Sequence, residues 1–233
     1  MARIILFFLC FLAVSASALD RFWDARYTFG PEFMVKDRFT VGAGFYTEYK
    51  ADAALPVNIQ IGVNDYWEVG GKIFFTSYNN LDDIYAHIDV GAKYRFQSNA
   101  TLQMDILMGL NHDNGGGLSF TYNTLQTISK NFTALYEARL GLFNGIVSPD
   151  GWVKFSGAVI PQFRIGEPVR ASIGLLTSGS VGEISRDFML DLLPRLDVGI
   201  LSYLTLSGEV AIGVLQSDNN DKVRLSIYVS CQI

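Results

Sequence analysis

The chain has 233 residues, a formal net charge of −5, two histidines and two cysteines. The acidic balance excludes general nucleic-acid binding. Its hydrophobic content is 49%, yet after the first residues no stretch approaches the ~18 consecutive apolar residues of a membrane-spanning helix.

The N-terminus has the pattern of a secretory signal peptide. Arg3 is a short basic start, Ile4 to Val14 an apolar run, and Ala16-Ser17-Ala18 an A-x-A cleavage site. Residues 1–18 are therefore expected to be removed. Leu9 stands before Cys10 where a lipoprotein signal needs a small residue, so no lipid anchor is expected. After cleavage only Cys231 remains, and no intramolecular disulfide can form. Residues 19–37 precede the first strand and are read as an N-terminal periplasmic segment or a plug.

From residue 38 to 233 apolar and polar residues alternate, which is the period of a β-strand with two unlike faces. The alternation predicts strands at 38–49, 54–64, 66–77, 83–96, 99–112, 117–128, 131–143, 151–165, 168–178, 186–200, 203–216 and 222–233. The apolar face of the second reads Leu55, Val57, Ile59, Ile61, Val63, and that of the fifth Leu102, Met104, Ile106, Met108, Leu110. In the fourth, IYAHIDVGAKYRF, Ile84, Ile88, Val90, Tyr94 and Phe96 share one face, and His87, Asp89, Lys93 and Arg95 the other. No charged residue falls on the apolar face of any strand. The sixth strand is the weakest, because its alternation fades after Tyr122.

A soluble barrel turns such an apolar face inward, whereas a transmembrane barrel turns it to lipid and lines its lumen with polar groups. Three features favour the membrane. The predicted strands run about 11–15 residues, against ~5–6 in soluble sheets and ~9–11 needed to span a bilayer at a tilt. Short turns near Asp65, Gln97–Ser98, Ser129–Lys130, Gly166–Glu167 and Ser202 alternate with longer loops, as in outer-membrane barrels. Phe39, Trp67, Tyr94, Phe96, Phe132 and Phe163 cluster towards the short-turn ends, and Phe45, Phe75 and Phe188 towards the others, so two aromatic girdles are expected. Presenting the charged face to lipid would cost ~2–4 kcal/mol for each midplane Lys or Arg. The expected fold is all-β: a closed antiparallel transmembrane barrel of about twelve strands in the bacterial outer membrane. A secreted soluble barrel is the alternative.

Twelve tilted strands enclose a backbone cylinder roughly 24 Å across, which side chains narrow to a small-solute path. If strands three and four pair through the 78–82 loop, Glu68 faces Lys93 and Lys72 faces Asp89. If strands ten and eleven pair around Ser202, Arg195 faces Glu209. Such opposed charges fix register, and these residues are read as structural pairs lining the pore. Arg164, Arg170 and Arg195 fall on three consecutive strands, with no acid expected between the first two. They are the candidate selectivity residues, since a basic wall favours anionic solutes.

Two stretches, IGVNDYWEVGGKIFF (61–75) and DVGAKYRF (89–96), resemble the outer-membrane barrels of the MetA-pathway-of-phenol-degradation family, often described as transporters; SYLTLSGEVAIG (202–213) is similar to a late hairpin of such proteins. The resemblance implies an outer-membrane barrel that passes small, often hydrophobic solutes, and it transfers no catalytic residue. The chain departs from many outer-membrane barrels in ending on Ile233 rather than Phe or Trp.

Enzyme chemistry finds no support in the sequence. His87 and His112 have no second His or Cys at metal-ligand spacing, and no G-x-S-x-G occurs. No catalytic residue, metal or cofactor is expected. The expected partners are outer-membrane lipid and lipopolysaccharide, the outer-membrane assembly machinery and small solutes. A passive channel or transporter is the leading reading, ahead of a non-conducting structural or adhesive barrel and, last, a barrel-embedded lipid hydrolase.

Overall fold

The computed structural model describes residues 39–48, 53–78, 83–110, 115–145, 153–166, 168–181, 188–216 and 223–232. The expected signal peptide (residues 1–18), residues 19–37, His112 and most of the longer loops lie outside them. Twelve strands form: β1 Phe39–Glu48, β2 Ala53–Gly62, β3 Trp67–Tyr78, β4 Asp83–Gln97, β5 Ala100–Gly109, β6 Gly115–Ser129, β7 Phe132–Gly145, β8 Val153–Arg164, β9 Val169–Ser180, β10 Met189–Leu201, β11 Leu204–Gln216 and β12 Val223–Gln232. Each pairs antiparallel with its chain neighbours, and β12 pairs with β1, closing the barrel. Closure leaves no free sheet edge, so the strand amides pair without water.

The side-chain sorting is that of a membrane barrel. On β2, Leu55, Val57, Ile59 and Ile61 point outward at 38–51% exposure, while Ala54, Asn58 and Gln60 between them are at most 7% exposed. The same parity runs through β5, where Leu102, Met104 and Ile106 are exposed and Thr101, Gln103 and Asp105 are buried. An apolar exterior this extensive far exceeds the few hundred Å² patches that water tolerates. It places the barrel in the outer membrane, where antiparallel barrels of this plan reside.

Local chemistry sets the turns. Between β2 and β3 the Asn64 side chain accepts from the backbone N–H groups of Tyr66 (2.8 Å) and Trp67 (2.9 Å), an Asx turn that reverses the chain. The β4–β5, β6–β7 and β10–β11 turns each carry a register shift, at Arg95/Gln97, Thr127/Ser129 and Gly199/Leu201. Such bulges add local twist at the ends of paired strands. Aromatic rings gather at this end. Trp67 and Tyr94, cross-strand partners, have ring centroids 4.8 Å apart; Phe132 and Phe163, also partners, stack at 4.7 Å. β6 reaches 15 residues although its alternation is weak, because β7 supplies a ladder from Gly115 to Ser129, with β5 pairing along 116–124.

One closure device is specific to the β12–β1–β2 seam. The Tyr228 ring lies across β1, and its hydroxyl donates to Asn58 Oδ1 on β2. Gly42 and Gly44 make the crossing feasible: a Cβ at Gly42 would overlap the Tyr228 ring, and one at Gly44 would meet Tyr228 Cδ2 and the Ile227 carbonyl, each at 2.8 Å. Gly42→Val is therefore expected to destabilise the folded barrel by about 1–3 kcal/mol, the usual cost of overpacking. Tyr228→Phe keeps the ring and should lose only about 1 kcal/mol for the hydrogen bond. Urea titration in lipid vesicles reads both.

Candidate solute pathway

The inner wall is built from alternate residues of every strand, and one group of its charges lies on β3 to β5. Glu68 lies opposite Lys93, and Lys72 opposite Asp89. Lys93 Nζ reaches Glu68 Oε1 at 3.0 Å, and Lys72 Nζ reaches Asp89 Oδ2 at 3.2 Å. All four side chains are at most 2% exposed. Lys72 Nζ also sits 5.0 Å from the centre of the Phe74 ring, a favourable place for a cation. Next along, Asp105 accepts two hydrogen bonds from Gln103 Nε2, at 2.7 and 2.9 Å, and one from Ser119 Oγ at 3.2 Å. Gly91 on β4 leaves room for this carboxylate, since a Cβ there would overlap it.

A second group of charges spans β8 to β12. Arg164 and Arg170 face each other across the ladder. Asp197 lies opposite Arg170, and Glu209 opposite Arg195. Arg195 Nε donates to Asp197 Oδ1 at 2.8 Å and its Nη2 to Ser207 Oγ at 3.4 Å. The arginines are thus brought together near the short-turn end, as their spacing suggested. They are interleaved with acids, however: Glu209 is expected opposite Arg195 from the sequence, and Asp197 opposite Arg170 is an addition from the structure. Nearer the other end, Arg224 on β12 reaches over β11 to Asp191 on β10. This pair skips a strand, so neighbour-by-neighbour register does not reveal it.

The lumen is not uniformly polar. Leu135, Ile160, Leu176 and Leu193 point inward with at most 6% exposure and pack with Ala158 and Ala211, with Leu125 against them. Leu125 pairs with Leu135, and Leu135 with Ile160, so the apolar residues follow one diagonal of the wall. The expected polar, charge-lined lumen therefore also has an aliphatic face, on β6 to β11, which lies beside the charged face of β3 to β5 and adjoins the ion pairs of β10 and β12. Between these faces, on β5 and β6, Thr101, Gln103, Thr121 and Asn123 are at most 3% exposed. Their atoms Thr101 Oγ1, Gln103 Oε1, Thr121 Oγ1, Asn123 Nδ2 and Asn123 Oδ1 have no hydrogen-bond partner among the described residues. A buried polar group left so costs about 1–3 kcal/mol.

His87 has backbone partners Phe74 and Gly109, and neither is a titratable residue. Among the described residues there is no group of three or more His, Cys, Asp or Glu that could hold a metal.

No protein-family model matches the chain, and no curated protein matches it. Solved structures do match. An outer-membrane channel from Pseudomonas putida F1 aligns with a TM-score of 0.65 at 10% identity, covering 87% of this chain and 97% of the channel. The KdgM porin aligns at 0.57 and 9% identity, over 82% of this chain and 98% of the porin. LpxR from Salmonella typhimurium aligns at 0.59 and 7% identity, over 84% and 99%. At these identities the likeness is one of fold: this chain shares the closed twelve-stranded antiparallel barrel of these outer-membrane proteins.

Proposed function

We propose that this barrel is a passive channel or transporter for small solutes, with no enzymatic activity. The observation that carries the reading is the closed barrel with polar and charged residues on its inner wall, a fold that this chain shares with a porin and a channel. The interior supports it, because the ion pairs Lys72–Asp89, Lys93–Glu68, Arg195–Asp197 and Arg224–Asp191 are spread along the wall. In this reading residues 1–18 are cleaved after export, and the mature chain is inserted by the assembly machinery into a membrane bearing lipopolysaccharide. The stretches 61–75, 89–96 and 202–213 favour a place with the MetA-pathway transporters. The Arg164–Arg170 pair, with Arg195 beside it, biases the short-turn mouth towards anions. Glu68, Lys72, Asp89, Lys93 and Glu209 act as struts that hold the wall open.

Planar bilayers test this directly. The purified mature protein is expected to give discrete conductance steps. A salt gradient should yield a reversal potential of anion-preferring sign. Arg164→Glu with Arg170→Glu should lower the anion-to-cation permeability ratio severalfold. Absence of conductance would favour the structural or adhesive barrel, and lipid hydrolysis by the same preparation would favour the enzyme. Cation preference in the unaltered protein would remove the arginines from the selectivity role.

A further inference from the structure

The polar residues of β5 and β6 carry the argument further. We propose that Thr101, Gln103, Thr121 and Asn123 form a subsite for an uncharged, polyhydroxylated solute of sugar-like chemistry. Thr101 faces Asn123 and Gln103 faces Thr121 across one ladder, so the four side chains make a contiguous block on the inner wall. The partnerless atoms of this block are a mixed set. Gln103 Oε1 and Asn123 Oδ1 accept, Asn123 Nδ2 donates, and the two threonine hydroxyls do both. The strand amides around them are committed to the ladders. A carboxylate can only accept and an ammonium can only donate, so neither satisfies such a set. Neighbouring hydroxyls on one ring, each a donor and an acceptor, do.

The surrounding charges favour the same class. Gln103 faces Lys93 on β4, and Lys93 is held by Glu68. Thr121 faces Arg139 and Asn123 faces Glu137 on β7. Asp105 follows Gln103 on the same wall. A bound anion would meet Asp105 and Glu137, and a bound cation would meet Lys93 and Arg139. A neutral solute avoids both repulsions. Leu125, one inward position beyond Asn123, begins the aliphatic diagonal through its partner Leu135. It offers an apolar surface to the C–H face of a sugar ring.

The side chains are packed closely around the partnerless atoms. A solute must part them while supplying the bonds they lack. That exchange favours a molecule rich in hydroxyls and disfavours a hydrocarbon, which makes the block a filter.

The subsite rests on the channel reading for its purpose, but its test does not. Glucose and gluconate, a six-carbon neutral sugar and its acid, are titrated calorimetrically into the full mature protein in detergent. Glucose is expected to bind at least fivefold more tightly than gluconate. Thr121→Val, nearly isosteric, should raise the glucose Kd by two- to tenfold, the worth of one hydrogen bond, and Asn123→Leu by more. Thr121→Val should unfold at the same or a higher urea concentration, because the hydroxyl it removes has no hydrogen-bond partner among the described residues. A purely structural role predicts earlier unfolding with an unchanged Kd. No glucose binding, equal binding of gluconate, or an unchanged Kd in both variants would overturn the proposal. A protein that binds glucose yet passes no current keeps the subsite and loses the channel. One that conducts but ignores glucose does the reverse.

Discussion

Lys93→Ala is expected to destabilise the barrel by about 3–5 kcal/mol, the largest effect of any single interior substitution considered. Lys93 and Glu68 are at most 2% exposed and in contact at 3.0 Å, so removing the ammonium strands a carboxylate away from water. The pair itself contributes little net stability, because desolvating two charges offsets most of their attraction. Glu68→Gln should therefore restore a substantial part of the loss when combined with Lys93→Ala, and the double variant should be more stable than Lys93→Ala alone. A urea series on the two single variants and the double variant, in vesicles of one lipid composition, gives the coupling energy. Independent, additive losses would mean that the two side chains do not act as a pair. The consequence for function is geometric. With Glu68 unpaired, the β3–β4 wall has reason to rearrange or to take up water, so the unit conductance should change along with the stability.

Much of this geometry is legible in the sequence, for a definite physical reason. A period of two assigns every strand residue to one face or the other. A tight turn then fixes which residues face one another, so Arg164 opposite Arg170 follows from counting, and Glu68 opposite Lys93 follows once strands three and four are registered through the 78–82 loop. β9 and β10 are joined by a longer connection, so the same count does not place Asp197 opposite Arg170. The placement of charges along the strands does not reveal the apolar diagonal. Its signal is nonetheless present as doubled apolar residues that break the pattern: Val159-Ile160, Leu175-Leu176 and Leu192-Leu193. In each pair one member must face the lumen. Contacts that jump a strand, Arg224 to Asp191 and Tyr228 to Asn58, were beyond reach. They depend on small residues in the strand between, such as Gly42 and Gly44 under Tyr228, and on side-chain reach that pairwise register does not encode. The partnerless block on β5 and β6 was hidden for a related reason. Thr, Gln and Asn on an inner face look ordinary, and only packing reveals that their hydrogen bonds are unmade.

Val159→Arg is expected to cost about 2–4 kcal/mol, the price of a cation on the lipid face near the bilayer midplane. Val159 lies near the middle of β8, between Tyr136 on β7 and Leu175 on β9, and it is 46% exposed on the outer face. A soluble barrel would respond differently: on its water-facing side an arginine would change stability by a few tenths of a kcal/mol in either direction. The comparison sharpens if the same change is made nearer an interface, where the cost falls to ~0–1 kcal/mol. Phe163, at the short-turn end of the same strand and face, is the matched position, although its replacement also removes the stacked contact with Phe132. Ile165, 70% exposed in the turn beyond it, avoids that complication. The expected order of destabilisation is therefore Val159→Arg well above Ile165→Arg, measured by urea unfolding in vesicles. The gradient needs a slab of hydrocarbon centred on the strand midpoints, which only a bilayer supplies. Equal small effects at both positions would contradict the outward orientation of the apolar face, and with it the lumen on which the channel and the β5–β6 subsite both depend.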